Sequence, residues 1–196
     1  VLSSDGRVLV IGGLIDWTED GPNVNSLNST ELYDPESDSW SLGAVMAQGR
    51  GLHTATTLPD GKILVTGGLN TARQPLNSAE LYDPTTDTWA PAASMSQARD
   101  SHTGTLLSDG RVLVVGGNGT SGGLSLTSAE IYDPSSNSWS SAGNMLEGRN
   151  HHTAIQLNDG KVLVAGGLLG PENPLSTVDF YSPSTNSWSS AITNAQ

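Results

Sequence analysis

The chain has 196 residues, a formal net charge of −12, 35% hydrophobic residues, 23 glycines, 10 prolines and no cysteine. The absence of thiols excludes disulfides, thiolate metal sites and a cysteine nucleophile. The acidic balance excludes a nucleic-acid partner, because phosphate binding needs clustered Lys and Arg.

Abundant Gly and Pro with few helix formers point to many short strands joined by tight turns. No run approaches the ~18 apolar residues of a membrane span. The opening "VLSSDGRVLV" lacks the basic start and long apolar core of a signal peptide, so a mature or trimmed soluble piece is expected.

Taken in chain order, the same unit is written four times. Asp-Gly pairs stand at Asp5, Asp60, Asp109 and Asp159, each followed by a cation. Diglycines begin at Gly12, Gly67, Gly116 and Gly166, and tyrosines follow at Tyr33, Tyr82, Tyr132 and Tyr181. Tryptophans follow at Trp40, Trp89, Trp139 and Trp188. Met46, Met95 and Met145 and then Arg50, Arg99 and Arg149 complete a period of about 50 residues. The blades it implies run approximately over 1–45, 46–94, 95–144 and 145–196.

The second unit shows the strands best. "HTATTL" alternates and reads as a short strand. "PDGK" is a hairpin turn in which Gly supplies a positive φ. "KILVTGG" is a continuous apolar run, as expected of a strand buried on both faces. "SAELYDP" is the third strand, stopped by Pro84. "TTDTW" turns the chain, and "TWAPA" is the fourth strand. No segment has helical period.

The apolar run ending in Gly-Gly, then Glu-Leu-Tyr-Asp-Pro, then Trp, resembles the kelch repeat, and it covers essentially the whole chain. The copies look most like bacterial kelch proteins and are distantly similar to the propeller of galactose oxidase. The fourth copy departs slightly, with "TVDFYSP" in place of "SAELYDP". The resemblance implies an all-β propeller of four-stranded antiparallel blades. It places the diglycine where neighbouring sheets approach and the Tyr and Trp in the wedge between blades, each ring worth several kcal/mol by area.

The first unit begins where Val1 and Leu2 match only the last residues of an innermost strand, and the chain ends just before the next Arg-His slot. The first blade is therefore expected to lack most of that strand. The expectation is that closure comes from a larger propeller or from neighbouring chains, in a ring of two copies or a filament.

Subtracting the repeat leaves few residues. Glu31, Glu80, Glu130 and Asp179 recur once per blade beside the arginines and read as structural ion pairs. His53, His102 and His152 are equivalent positions, spread around a channel rather than gathered at one point, so no metal centre is expected. No motif of a nucleophile, phosphate loop or paired histidines occurs. A Tyr–Cys copper radical site cannot form without Cys. No cofactor is expected.

The loops after each diglycine vary: "LIDWTEDGPNVNSLN", "LNTARQPLN", "NGTSGGLSLT" and "LLGPENPLS". Variable loops on a rigid scaffold are where binding residues gather. The candidate ligand site is accordingly Asp16, Trp17, Glu19 and Asp20 in the longest loop, with Arg73, Asp100 and His151 as neighbours. Asn28 and Asn118 begin glycosylation acceptor patterns. The expected function is non-catalytic binding of a protein or glycan by a secreted or cell-surface domain. A structural repeat unit and an oxidase-like or carbohydrate-active propeller are the alternatives.

Overall fold

The computed structural model describes residues 1–3, 5–15, 25–120 and 125–191, and all regular elements among them are β-strands. The chain divides into two compact units, Val1–Ala98 and Arg99–Gln196.

The first unit holds two antiparallel sheets. One runs in the order β1 (Val8–Ile15), β2 (Asn25–Asp34), β3 (Ser39–Leu42). The other runs β4 (Thr54–Thr57), β5 (Ile63–Thr66), β6 (Ala79–Asp83), β7 (Thr88–Ala92). The second unit repeats the four-stranded meander in β8 (Thr103–Leu106), β9 (Val112–Val115), β10 (Ser128–Asp133) and β11 (Ser138–Asn144). Its last sheet is β12 (Thr153–Gln156), β13 (Val162–Ala165), β16 (Val178–Ser182) and β17 (Ser187–Ala191). The two-residue strands β14 (Leu168–Leu169) and β15 (Asn173–Pro174) pair in the loop after β13.

The strands coincide with the segments read from the second unit, and the apolar run becomes the fully buried β5. The first sheet has three strands. On the free edge of β1, only Val1 and Leu2 begin an inner strand: Leu2 bridges Val8, and Val1 and Leu9 exchange backbone hydrogen bonds of 2.7 and 2.8 Å.

Alternation along the strands gives each sheet two faces. In the first unit, Leu9, Ile11 and Leu32 from the first sheet, with Met46 from the connection after it, pack against Ile63, Val65 and Tyr82 of the next. In the second unit, Leu113, Val115, Ile131 and Met145 pack likewise against Val162, Val164 and Tyr181. Each core is thus the wedge between one sheet and its successor, at roughly 1.5–3 kcal/mol for each large apolar side chain buried.

The recurring polar residues hold these wedges in shape. Gly61 adopts φ 86° in the β4–β5 turn, and Lys62 N–H donates to Asp60 Oδ1 at 3.1 Å. Tyr82 Oη donates to Asp87 Oδ1 at 2.9 Å, and Tyr132 Oη donates to Asn137 Oδ1 at the same distance. Asp87 and Asn137 sit at φ 50° and 47°, the left-handed region that Asn and Asp tolerate best after Gly. That explains the Asp or Asn in every "TTDTW"-type turn.

The aromatic expectation needs one correction. The tyrosines Tyr82, Tyr132 and Tyr181 are fully buried. Their tryptophan partners lie on the outer strand, where only part of the ring reaches the wedge. Trp89 and Trp188 are half-buried and donate Nε1–H to the carbonyls of Ala44, just after β3, and Ala142, on β11, at 3.0 and 2.7 Å. Trp40 is 58% exposed.

Candidate binding surface

Among the described residues, the loops after the last three diglycines and the connections that lead into the same sheets meet at one end of each unit, because they pair with each other. Gly51 bridges Leu69, which bridges Pro75; Asp100 bridges Asn118, which bridges Ser125; Asn150 bridges Leu168. The pairing demands close approach. A Cβ on Gly68 would stand 2.5 Å from the Gly51 carbonyl, and one on Gly116 would stand 2.5 Å from the Arg149 carbonyl. The diglycine is therefore the hinge that brings variable loop and connection together.

Within the second unit the two connections touch, His151 N–H donating to the carbonyl of Ser101, the neighbour of Asp100. Asp100 is 4% exposed, and its Oδ1 accepts from Ser101 Oγ at 2.9 Å and from Asn118 Nδ2 at 3.1 Å. Burial pushes its carboxyl above the usual range, while these donors and His151 pull it back. The next connection puts Asn150 in the same slot, donating from Nδ2 to Ser125 Oγ at 2.8 Å and to the Gly170 carbonyl at 3.1 Å.

His151 is exposed and stands at φ 50°, with its backbone N–H on the Ser101 carbonyl at 3.0 Å. Leu52 and Ser101 hold the equivalent slot at φ 54° and 52°. A non-glycine residue in that region is uncommon, and here it recurs at the same slot in three copies. Of this group Asp100 and Ser101 are buried, Asn118 is half-buried and His151 is exposed, so Asn118 and His151 are the side chains that can offer donors or acceptors to a polar ligand.

The other expected site residues fall elsewhere. Arg73 is half-buried in the turn after β5 of the first unit, at φ 55°, with its N–H on the Asn70 carbonyl. Asp16, Trp17, Glu19 and Asp20 lie outside the described residues.

The recurring His and Arg residues serve the scaffold. Arg50 is fully buried. Its Nη1 donates to the Gly67 and Ser78 carbonyls, and its Nη2 donates to Ser78 Oγ and, at 2.8 Å, to Glu80 Oε1. Arg99 repeats the set on Gly116, Ser128 and Glu130, and Arg149 repeats it on Gly166, Thr177 and Asp179. The expected ion pairs are therefore present three times.

Burial and the neighbouring Arg50 charge push His53 down to about 4, and burial with Arg149 does the same to His152. Neutral His152 shares a 2.9 Å hydrogen bond between Nε2 and Thr103 Oγ1. Among the described residues no group of three His, Asp or Glu side chains is placed to hold a metal ion.

At the opposite, short-turn end of the second unit lies a cavity of about 410 Å³, lined by Ser108, Asp109, Arg111, Lys161 and Ser184 among others. Its charges are already paired, Arg111 with Asp109 at 2.6 Å and Lys161 with Asp159 at 3.3 Å. The sequence reading assigned these turns to the fold alone, and no motif signals the cavity. Among the described residues, no helix is long and apolar enough to cross a membrane.

Comparison with known proteins agrees with this architecture. The family described as the KLHDC2/KLHL20/DRC7 Kelch-repeats domain matches residues 1–196. Kelch-like protein 15 of Danio rerio is 38% identical over 69 residues, covering 35% of this chain and 11% of that protein. Kelch-like protein 15 of Homo sapiens matches over the same extent. Galactose oxidase of Gibberella zeae is 41% identical over 67 residues, covering 34% of this chain and 8% of the enzyme. The matched segments are thus about a tenth of these relatives, one of which is named as an enzyme. With four copies of the repeat, each centred on an antiparallel sheet, and a family match over its whole length, the chain belongs to the Kelch-repeat domain family.

Proposed function

We propose that the chain is a non-catalytic binding module. It engages a protein or glycan partner through the end where the variable loops meet the inter-sheet connections. The observation that carries this reading is the cluster of Asp100, Ser101, Asn118 and His151. These side chains differ from copy to copy, yet among the described residues they stand on a backbone that the last three copies hold alike. Rigid backbone with varied side chains is how loop-borne recognition is built on repeat scaffolds.

Within the first unit, a separate candidate patch is Asp16, Trp17, Glu19 and Asp20 in the longest variable loop, with Arg73. Trp17 is the one tryptophan the repeat does not require, and a loop tryptophan suits stacking on a sugar or anchoring a protein. We place the module outside the cell, in keeping with an acidic chain free of Cys.

The test is a glycan array probed with the intact chain, with Trp17→Ala and with His151→Ala. Binding by the parent chain that both variants weaken, with unchanged melting temperatures, supports the reading. Binding unaffected by either substitution removes the site from this end. Copper-dependent oxidation of galactose by the purified chain would favour the enzymatic alternative instead.

A further inference from the structure

The fourth copy of the repeat lacks a carboxylate that the other three hold. Cross-strand register pairs Asp34 with Ser39, Asp83 with Thr88, Asp133 with Ser138 and, in the last sheet, Ser182 with Ser187. Each aspartate organises the turn that follows it. Asp34 Oδ1 accepts the Glu36 N–H at 2.8 Å. Asp83 Oδ1 accepts the Thr85 N–H at 2.9 Å and Thr85 Oγ1–H at 2.6 Å, and Asp133 Oδ1 accepts the same two donors from Ser135 at the same distances. These hydrogen bonds and, more weakly, the cation after the Asp-Gly turn of the same copy hold all three carboxyls below the usual range.

With Ser182 in that place the turn still closes, Thr185 N–H donating to the Ser182 carbonyl at 3.3 Å. What changes is the acceptor. Ser184 stands where Thr85 and Ser135 stand, and its N–H and Oγ–H have no carboxylate two residues back to receive them. Ser182 and Ser184 line the cavity of about 410 Å³ at the short-turn end of the second unit, together with Lys161. Lys161 is 3.3 Å from Asp159, whereas its counterpart Lys62 has both Asp60 and the charge of Asp83 to answer. Arg111 stands on another wall of the cavity, where Asp109 Oδ2 accepts from its Nε and Nη2 at 2.9 and 2.6 Å. The two ion pairs cancel, so the fourth copy presents the donors and the cation of this turn without the carboxylate that meets them elsewhere.

We propose that this cavity binds a small polyhydroxylated carboxylate, of the sugar-acid class, whose carboxylate takes the place of the missing aspartate. One ligand oxygen accepts from the N–H and Oγ–H of Ser184, as Asp83 and Asp133 accept from Thr85 and Ser135, and the carboxylate faces Lys161. Hydrogen bonds to an ionised acceptor are about twice as strong as neutral ones, which favours an acid over a neutral sugar. The size and lining set the rest of the ligand. The cavity falls within the roughly 300–1,000 Å³ of small-molecule sites, so it has room beyond a carboxylate. Ser108, Asp109 and Asp159 present oxygens that sugar hydroxyls can satisfy, and an apolar acid would leave them unpaired. The same two aspartates repel a more highly charged phosphate. The cavity lies at the end of the second unit opposite the variable loops, so it stands or falls independently of the surface proposed there.

The test follows backbone amide shifts of the isotope-labelled full chain by NMR during titration with glucuronate, free and as its methyl glycoside. Glucose, acetate and inorganic phosphate are the controls. Glucuronate should give saturable shifts at Ser184 and Gly160. Glucose should give none, and acetate and phosphate should bind at least tenfold more weakly. Ser182→Asp supplies the carboxylate that the other three copies carry at this position, so it keeps the fold and should weaken glucuronate binding at least tenfold. Lys161→Gln, at an exposed position, should weaken it as well with an unchanged melting temperature. Tighter binding of the methyl glycoside assigns the ligand to a uronate unit of a glycan, and tighter binding of the free acid assigns it to a free sugar acid. Absence of a saturable response at Ser184 overturns the proposal. So does glucuronate binding that Ser182→Asp leaves unchanged, or an equal response to acetate or phosphate.

Discussion

Arg50 Nη2 donates to Glu80 Oε1 at 2.8 Å, with the guanidinium fully buried and the carboxylate nearly so. Removing one partner of such a pair strands the other charge away from water, which costs about 3–5 kcal/mol. Glu80→Ala should therefore lower stability by that order, and Glu130→Ala by a similar amount. Glu31→Ala, at the exposed equivalent, should change stability by less than about 0.5 kcal/mol. Urea unfolding of the three variants checks the ranking, and equal effects would show that burial is not what makes the pair matter.

The aromatic ladder should respond by depth. Tyr82→Ala removes a fully buried ring from the wedge and should cost on the order of 3–5 kcal/mol. Trp89→Ala should cost less, because its ring is only half-buried, though it also loses the hydrogen bond to the Ala44 carbonyl. Trp40→Ala should cost least of the three. Thermal unfolding that places Trp40 with Tyr82 would contradict this order.

Acid should destabilise the scaffold through its histidines. His53 and His152 titrate near 4 in the folded chain, against about 6.5 for an unperturbed histidine. The unfolded chain binds more protons between those values, so their contribution is complete above about pH 6.5 and is lost as pH falls toward 4. Asp100 acts in the opposite sense, since burial raises its carboxyl and protonation relieves it. The urea midpoint should fall between pH 7 and pH 4.5. His53→Gln and His152→Gln should each flatten that dependence, and an unchanged slope in both would rule out the histidines as its source.

The diglycine should tolerate no side chain. Gly68 sits at φ 95°, and an added Cβ would meet the Gly51 carbonyl at 2.5 Å and His53 Cβ at 2.8 Å. Gly68→Ala should cost more than about 2 kcal/mol, from backbone strain and overlap together. Gly6→Ala is the control. Gly6 has a comparable φ of 89° and no atom within 4 Å of the added carbon, so strain acts there alone and the loss should be smaller. Differential scanning calorimetry of the two variants measures the difference.

The repeat was legible because each copy solves the same local problem with the same letters. Asp60-Gly61 turns the chain, Ile63–Thr66 fills a strand buried on both faces, and Tyr82 reaches Asp87 five residues on. Turn chemistry and strand alternation act within a few residues, so they leave a periodic trace in the sequence. The pairing of Arg50 with Glu80 was also readable, since both recur once per unit. The longest loop, with Asp16, Trp17, Glu19 and Asp20, has no repeat to constrain it.

What the repeat could not distinguish was the difference between equal letters. Trp40 and Trp89 occupy the same slot, yet one is exposed and the other half-buried. Glu31 and Glu80 differ likewise, one in solvent and one against a buried arginine. Asp100 and His151, simple leftovers in the sequence, were joined only when neighbouring connections folded back over the same end of one unit. Local residues determine strand, turn and register, because those depend on backbone sterics and alternation over a few positions. Exposure, pairing and site geometry depend on which surface lies opposite, and that is decided only when separate sheets pack.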